Sequence, residues 1–145
     1  MGVDVVTEIE IDRPVDVVSA YVADPSNAPE WYDKISSIEW RTDPPFAVGS
    51  RMDFVAHFLG RRLAYTYEVR VFEPGERLVM STSEGPFPME TSYAWTPSGD
   101  GTHMTLRNRG VPAGFSRVLS PLMVPAMRRA NRKDLAKLKA ILESR

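Results

Sequence analysis

Few side chains in this chain are suited to chemistry, and Asp134 heads them. On a helical wheel it falls on the apolar side, between Ala130 and Leu138, with Asn131 one turn back. A carboxylate buried there would have a raised pKa and could act as an acid or a base. The plainer role is a helix-to-loop hydrogen bond or an ion pair with an arginine, since structural pairs perturb pKa values too. Tyr65, Tyr67 and Tyr93 offer hydroxyls on apolar strand faces, the kind of polar group that orients a ligand in a greasy pocket. His57 and His103 fall opposite the aromatic sets, so strand parity sends them outward. A bulge would turn His103 inward, where it could serve as a general base. Arg107 and Arg109 flank Asn108 and read as outer-face charges. The catalytic site is left unassigned.

Several chemistries are excluded. There is no cysteine, hence no disulfide, thiolate nucleophile or cysteine metal site. No G-x-S-x-G, G-x-x-x-x-G-K or H-x-x-x-H occurs, and Gly99-Asp100-Gly101 is a turn rather than a dinucleotide loop. No metal and no cofactor are expected. The formal net charge of -1 gives no field that would draw nucleic acid. The first twelve residues, MGVDVVTEIEID, lack the basic start and apolar core of a signal peptide, so a cytoplasmic location is expected. Nothing reaches the apolar length that spans a bilayer. At 145 residues the chain fits one domain with one core, residues 1–145.

The elements that must position these groups follow from periodicity. Val3, Val5, Thr7, Ile9 and Ile11 form one strand face. Asp12 is placed to cap a short helix, Pro14 to open it, and Val15, Val18 and Val22 to form its buried stripe. A second short helix, capped by Asp24 or Asn27, ends on Trp31-Tyr32, rings that should close over something apolar. Six more strands follow. Their inward sets hold Trp40; Met52, Phe54, Ala56 and Phe58; Tyr65 and Tyr67; Met80; Tyr93 and Trp95; then Met104 and Leu106. Pro74-Gly75 and the Ser98–Gly101 tetrapeptide are tight turns, so the strands form an antiparallel meander. Residues 115–145 are a long amphipathic helix. Leu119, Met123, Ala126, Met127, Ala130, Leu135, Leu138, Ile141 and Leu142 lie on one face; Arg128, Arg129, Arg132, Lys133, Lys137 and Lys139 lie on the other. Pro125 lacks the N–H its turn needs, so a kink or break is expected near Val124. With residues 84–88 and 110–114 it would form a mobile cavity mouth.

Large rings on a curved sheet can hold a helix away from it, and methionines adapt to what fills the gap. The sequence therefore suggests a cavity between sheet and terminal helix. The same alternation fits a filled core whose tyrosines reach solvent or backbone.

The chain resembles the polyketide cyclase/dehydrase and lipid-transport group of the START-like (SRPBCC, Bet v 1-like) superfamily. The resemblance is carried by Ile11-Asp12-Arg13-Pro14, Tyr21-Val22-Ala23-Asp24-Pro25 with Trp31, Val48-Gly49-Ser50-Arg51, and Tyr67-Glu68-Val69 through Glu73-Pro74-Gly75-Glu76-Arg77-Leu78. Gly101-Thr102-His103-Met104-Thr105 and Asp134-Leu135-Ala136-Lys137-Leu138-Lys139 continue it. It implies an α+β helix-grip: a seven-stranded curved antiparallel sheet around a long C-terminal helix, with two short helices between strands 1 and 2. The expected function is binding or transport of a small lipophilic molecule by Trp40, Phe54, Phe58, Tyr65, Tyr67, Met80, Tyr93, Trp95, Leu106, Leu119, Met123, Met127, Asn131 and Asp134. The alternatives are an aromatase/cyclase-type enzyme and a toxin-like protein-interaction module. Membrane contact is expected to be transient at most, because the helix's apolar side is needed by the sheet. Oligomeric state is not specified.

Overall fold

The computed structural model describes residues 3–58, 60–84, 88–110 and 115–145; the side chains of residues 58, 83, 84, 115–121 and 123 lie outside that description. Strand β1 (Val3–Ile11) leads to helix α1 (Val15–Ala23), a 3-10 turn (Pro25–Asn27) and helix α2 (Ala28–Trp31). Strands β2 (Ile35–Trp40), β3 (Arg51–Phe58), β4 (Arg61–Glu73), β5 (Arg77–Glu84), β6 (Met89–Ser98) and β7 (Gly101–Gly110) follow, then helix α3 (Phe115–Glu143). All neighbouring strands pair antiparallel, in the order β1-β7-β6-β5-β4-β3-β2. This is the seven-stranded helix-grip arrangement.

The topology forces the two short helices across the molecule. β1 and β2 are consecutive in sequence yet occupy opposite edges of the sheet. The connection between them, with α1 and α2, therefore spans the concave face. Curvature has local causes. The β4–β5 register slips between Val69 and Val71, and the β2–β3 register slips between Ile35 and Ser37; an extra residue bends a strand and increases its twist. The turns match their sequences. Glu76 N–H donates to Glu73 O at 2.9 Å around Gly75, whose φ of 78° suits a glycine at the third position of the turn.

α3 is held firmly at its C-terminal end. Leu135, Leu138 and Leu142 are fully buried and share a core with Ile11, Val18, Met104 and Leu106. Arg13 donates to the carbonyls of Leu142 and Arg145 at 2.9 Å each, satisfying acceptors that a helix terminus leaves open. Lys139 Nζ donates to Glu10 O at 2.8 Å, and the Asp12 N–H donates to Glu143 Oε2 at 2.8 Å.

Two local expectations differ from the structure. Of the kink or break expected near Val124, the break is absent, as α3 runs unbroken through it; Pro125 is exposed. Asp12 does not cap α1, which starts from Pro14 without a side-chain cap; the Asp12 backbone is engaged by α3 instead. Asp24 does cap the 3-10 turn, accepting from Ser26 N at 3.0 Å. The expected mobile mouth falls largely outside the described residues. Among the described residues no helix is long and apolar enough to cross a membrane.

The anchoring of α3 is testable. Leu138→Ala is expected to lose about 2–5 kcal/mol of unfolding free energy in urea titration, and the exposed Arg132→Ala less than about 0.5 kcal/mol. A loss at Leu138 no larger than at Arg132 would show that this end of the helix is not anchored as described.

Candidate functional site

Beyond Leu135 toward its N-terminus, α3 stands off the sheet and a cavity of about 170 Å³ opens beneath it. Met127, Ala130, Asn131 and Asp134 face the hollow from α3. Their spacing of three, four and seven residues places them on one helical stripe. The sheet supplies Phe54, Tyr65, Tyr67, Met80, Met89 and Tyr93, while Trp31 and Tyr32 close it from α2. Aromatic edges build the wall: Phe54 meets Tyr67 at 5.6 Å and 85°, and Trp31 meets Tyr93 at 6.2 Å and 62°.

A chain of polar side chains crosses this apolar space. Asn131 Nδ2 donates to Asn108 Oδ1 at 2.7 Å, Asn108 Nδ2 to Thr91 Oγ1 at 2.9 Å, and Thr91 Oγ1 to the Tyr67 hydroxyl at 3.4 Å. It runs from α3 through β7 and β6 to β4. With the donors pointing this way, the Tyr67 hydroxyl hydrogen is left without an acceptor among the described residues. Run in reverse, the same chain would leave an Asn131 N–H instead. Either sense leaves donors unspent, because each amide carries two N–H groups and gives at most one to the chain. Tyr32 and Tyr93 share a single hydrogen bond, 2.6 Å between hydroxyl oxygens, which leaves a second spare hydrogen. Burial pushes the phenols of Tyr32, Tyr67 and Tyr93 upward, so they remain protonated donors.

Asp134 is the ionisable group that stands out. It is 2% exposed, and its Oδ1 accepts the Asp33 N–H at 3.0 Å, tying α3 to the strand entry after α2. Desolvation raises its pKa to about 6, against the lowering effect of that backbone bond; the charge of Asp33 adds to the rise, while Lys133 and Lys137 oppose it. Asp134 thus makes the helix-to-loop bond read for it in the sequence, with a pKa pushed up to about 6 by burial. Lys34, half exposed and 3.9 Å from Asp33, stands at the rim.

The expected site residues divide. Phe54, Tyr65, Tyr67, Met80, Tyr93, Met127, Asn131 and Asp134 line the cavity. Trp40, Trp95 and Leu106 do not. Phe46, from the β2–β3 connection, lies edge-on to Trp40 at 6.2 Å and takes the lining position. Trp95 and Leu106 sit in the solid part of the core. The side chains of Phe58, Leu119 and Met123 lie outside the described residues. Sequence reading missed Asn108 and Thr91 as cavity groups; Trp31 and Tyr32, expected to close over something apolar, do so here without having been named as ligand-binding residues. Parity with Met104 and Leu106 was the available signal for Asn108.

The histidines stay out of the cavity. His57 is exposed. His103 pairs on the outer face with Glu10 and, at 2.9 Å, with Glu8; hydrogen bonds to both carboxylates raise its pKa. No bulge interrupts β7 at this point, so it is not turned inward. Among the described residues no cluster of His, Asp and Glu could hold a metal ion.

A family model described as polyketide cyclase/dehydrase and lipid transport matches residues 2–143. Among curated proteins, none matches the chain in sequence. Three solved structures illustrate the similarity. The Thermus thermophilus protein TTHA0849 is 20% identical, with 97% of each chain covered and a TM-score of 0.84. The Zhui aromatase/cyclase from Streptomyces sp. R1128 is 15% identical, covering 99% of this chain and 94% of its own, with a TM-score of 0.83. A START superfamily protein from Mycobacterium smegmatis is 15% identical, covering 92% and 98%, with a TM-score of 0.69. At these identities the likeness is one of fold.

The position of Asp134 has a pH consequence. The folded chain holds this proton up to about pH 6, the unfolded chain only to about pH 4. Between those values the folded state binds more protons, so stability falls as pH rises and stays lower above the window. Asp134→Asn keeps an acceptor for Asp33 N–H and removes the ionisation. Urea unfolding across this range is expected to show the variant level with the parent near pH 4 and about 1–2 kcal/mol more stable at pH 7–8. Parallel pH profiles would contradict a titrating buried carboxylate.

Proposed function

The chain belongs to the polyketide cyclase/dehydrase and lipid transport family, and from that premise we propose that it binds a small lipophilic molecule in the cavity between sheet and α3. The observation that carries this reading is the cavity itself, about 170 Å³ walled by aromatic and aliphatic side chains and crossed by a hydrogen-bonded polar chain. Ligand pockets combine apolar walls with a few placed polar groups in this way.

The spare hydrogens specify more of the ligand. Tyr67, or Asn131 with the chain reversed, and one of Tyr32 and Tyr93 offer donors into an apolar space. A ligand with carbonyl or phenolic oxygens would satisfy them, and a plain hydrocarbon would not. Asp134 disfavours an anion beside it once it ionises. The ligand is therefore a neutral, oxygen-bearing apolar molecule. Native mass spectrometry of the purified protein, followed by extraction and identification of the bound compound, tests this. Tyr67→Phe is expected to weaken binding of that compound about tenfold, the loss of one buried hydrogen bond. An empty protein, or an extracted ligand without an oxygen acceptor, counts against the reading.

A second reading rests on Asp134. A carboxyl at the cavity wall that titrates near neutrality, one turn from Asn131, suits acid–base work in an aldol closure and water loss of the kind an aromatase/cyclase performs. Under this reading Asp134→Asn abolishes turnover of a poly-β-keto thioester while its binding survives, as followed by product chromatography beside equilibrium dialysis. Unchanged turnover in the variant would rule Asp134 out as the acid–base group.

A further inference from the structure

A second hollow lies across a thin wall from the cavity. Ala23, Pro25 and Phe46 border both spaces. The outer one, about 600 Å³ and open to solvent, is a groove between α1 and the β4–β5 turn. Trp40 and Phe72 line it together with Phe46, and Ala20 flanks it from the exposed side of α1.

The three wall residues differ in freedom. Ala23 ends α1 and Pro25 opens the 3-10 turn, so moving either means unwinding a helical segment. Phe46 sits in the connection between β2 and β3. The backbone just after it is pinned: Ala47 N donates to Ser50 Oγ at 3.0 Å, Ser50 N to Ala47 O at 2.9 Å, and Gly49 N to Val69 O on β4 at 2.9 Å. Its half-buried ring is held by edge-on contacts, 6.2 Å to Trp40 and 5.1 Å to Phe72. Edge-on contacts of this kind are individually weak beside the burial of the rings. Rotation of a single ring about two torsions would join the hollows while the backbone stays in place.

We propose that the Phe46 ring is a movable partition and that the groove beyond it is an extension of the binding site, receiving the alkyl end of a ligand whose oxygen-bearing end sits in the cavity. The proposal rests on the cavity-binding reading. Its occupant follows from the lining: three aromatic rings take an apolar chain, while the exposed carboxylates of Asp16 and Asp24 at the rim disfavour a chain ending in an anion. Phe46 is then the residue that decides how long a ligand the protein accepts.

The para-alkylphenols from ethyl to octyl test this by isothermal titration calorimetry. With the partition able to open, affinity rises about fourfold per methylene through octyl. Ala20→Trp fills the groove from the exposed face of α1 without reaching the cavity. In that variant the rise is expected to stop near butyl, leaving octylphenol within about threefold of butylphenol, with ethylphenol unchanged. Phe46→Ala removes the partition and is expected to make the octylphenol-to-ethylphenol affinity ratio several-fold larger than in the parent. A wild-type plateau at butyl, or an octyl gain that survives Ala20→Trp, overturns the extended site and leaves cavity binding standing. Failure of every phenol to bind the parent protein overturns both.

Discussion

The burial of Leu135, Leu138 and Leu142 against the β1 side of the sheet is the contact on which the rest depends. Three fully buried leucines are worth on the order of 5–9 kcal/mol of transfer free energy. The bonds from Arg13 and Lys139 then fix the helix end in direction as well as position. A 29-residue helix is about 43 Å long and stiff. Clamped at one end, its other half lies wherever the side chains beneath hold it. Those side chains include Tyr67, Tyr93 and Met80, and they leave open space.

That space needs a strut. The Asn131–Asn108–Thr91–Tyr67 chain supplies one, joining α3 one turn before Leu135 to three strands. Buried amides are costly unless satisfied, so each link holds its neighbours to one geometry. The Asp134–Asp33 bond does the same toward α2. Together they define how far the helix stands from the sheet, which an apolar filling would leave to packing alone. Two buried groups are not satisfied within the described residues: the indole N–H of Trp31 and that of Trp95. Both adjoin Tyr93, whose ring meets each at 6.2 Å, so they add to the cost of an aromatic wall rather than to its polar order.

Most of the architecture was legible because strand parity and turn residues act locally. Tyr65, Tyr67 and Val69 against Arg62 and Arg70 announce one inward face, and Gly75 announces a turn whichever way the sheet bends. Asp134 was legible from the wheel. The errors come from questions that parity cannot answer. An inward position says nothing about whether the residue lies over the hollow or over solid core, which separated Tyr93 from Trp95, two residues further along the same strand. Trp40 was displaced from the lining by Phe46, a residue in an irregular connection with no periodicity to read. Asn108 sits between two arginines, whose outward charge drew attention from the inward amide. Pro125 suggested a break, but its exposed position on α3 lets the helix continue.

Carrier and catalyst differ here by very little physical structure. A carrier needs apolar volume and oriented donors. A cyclase needs those and a group that exchanges a proton near neutral pH. The tyrosines lining the cavity are held protonated by burial, so they orient a ligand without exchanging protons at neutrality. Lys34 stands half exposed at the rim, next to Asp33. Among the described lining residues, this leaves proton exchange inside the cavity to Asp134. Its Oδ1 is engaged by the Asp33 N–H, which leaves the second carboxylate oxygen as the atom at which a proton could be taken up or given. The desolvation that raises its pKa comes from the same closure that makes the cavity greasy. Filling the cavity with an apolar ligand would desolvate Asp134 further and raise its pKa again. A ligand bound there would thus couple to proton affinity, favouring the neutral carboxyl of Asp134 when the cavity is full.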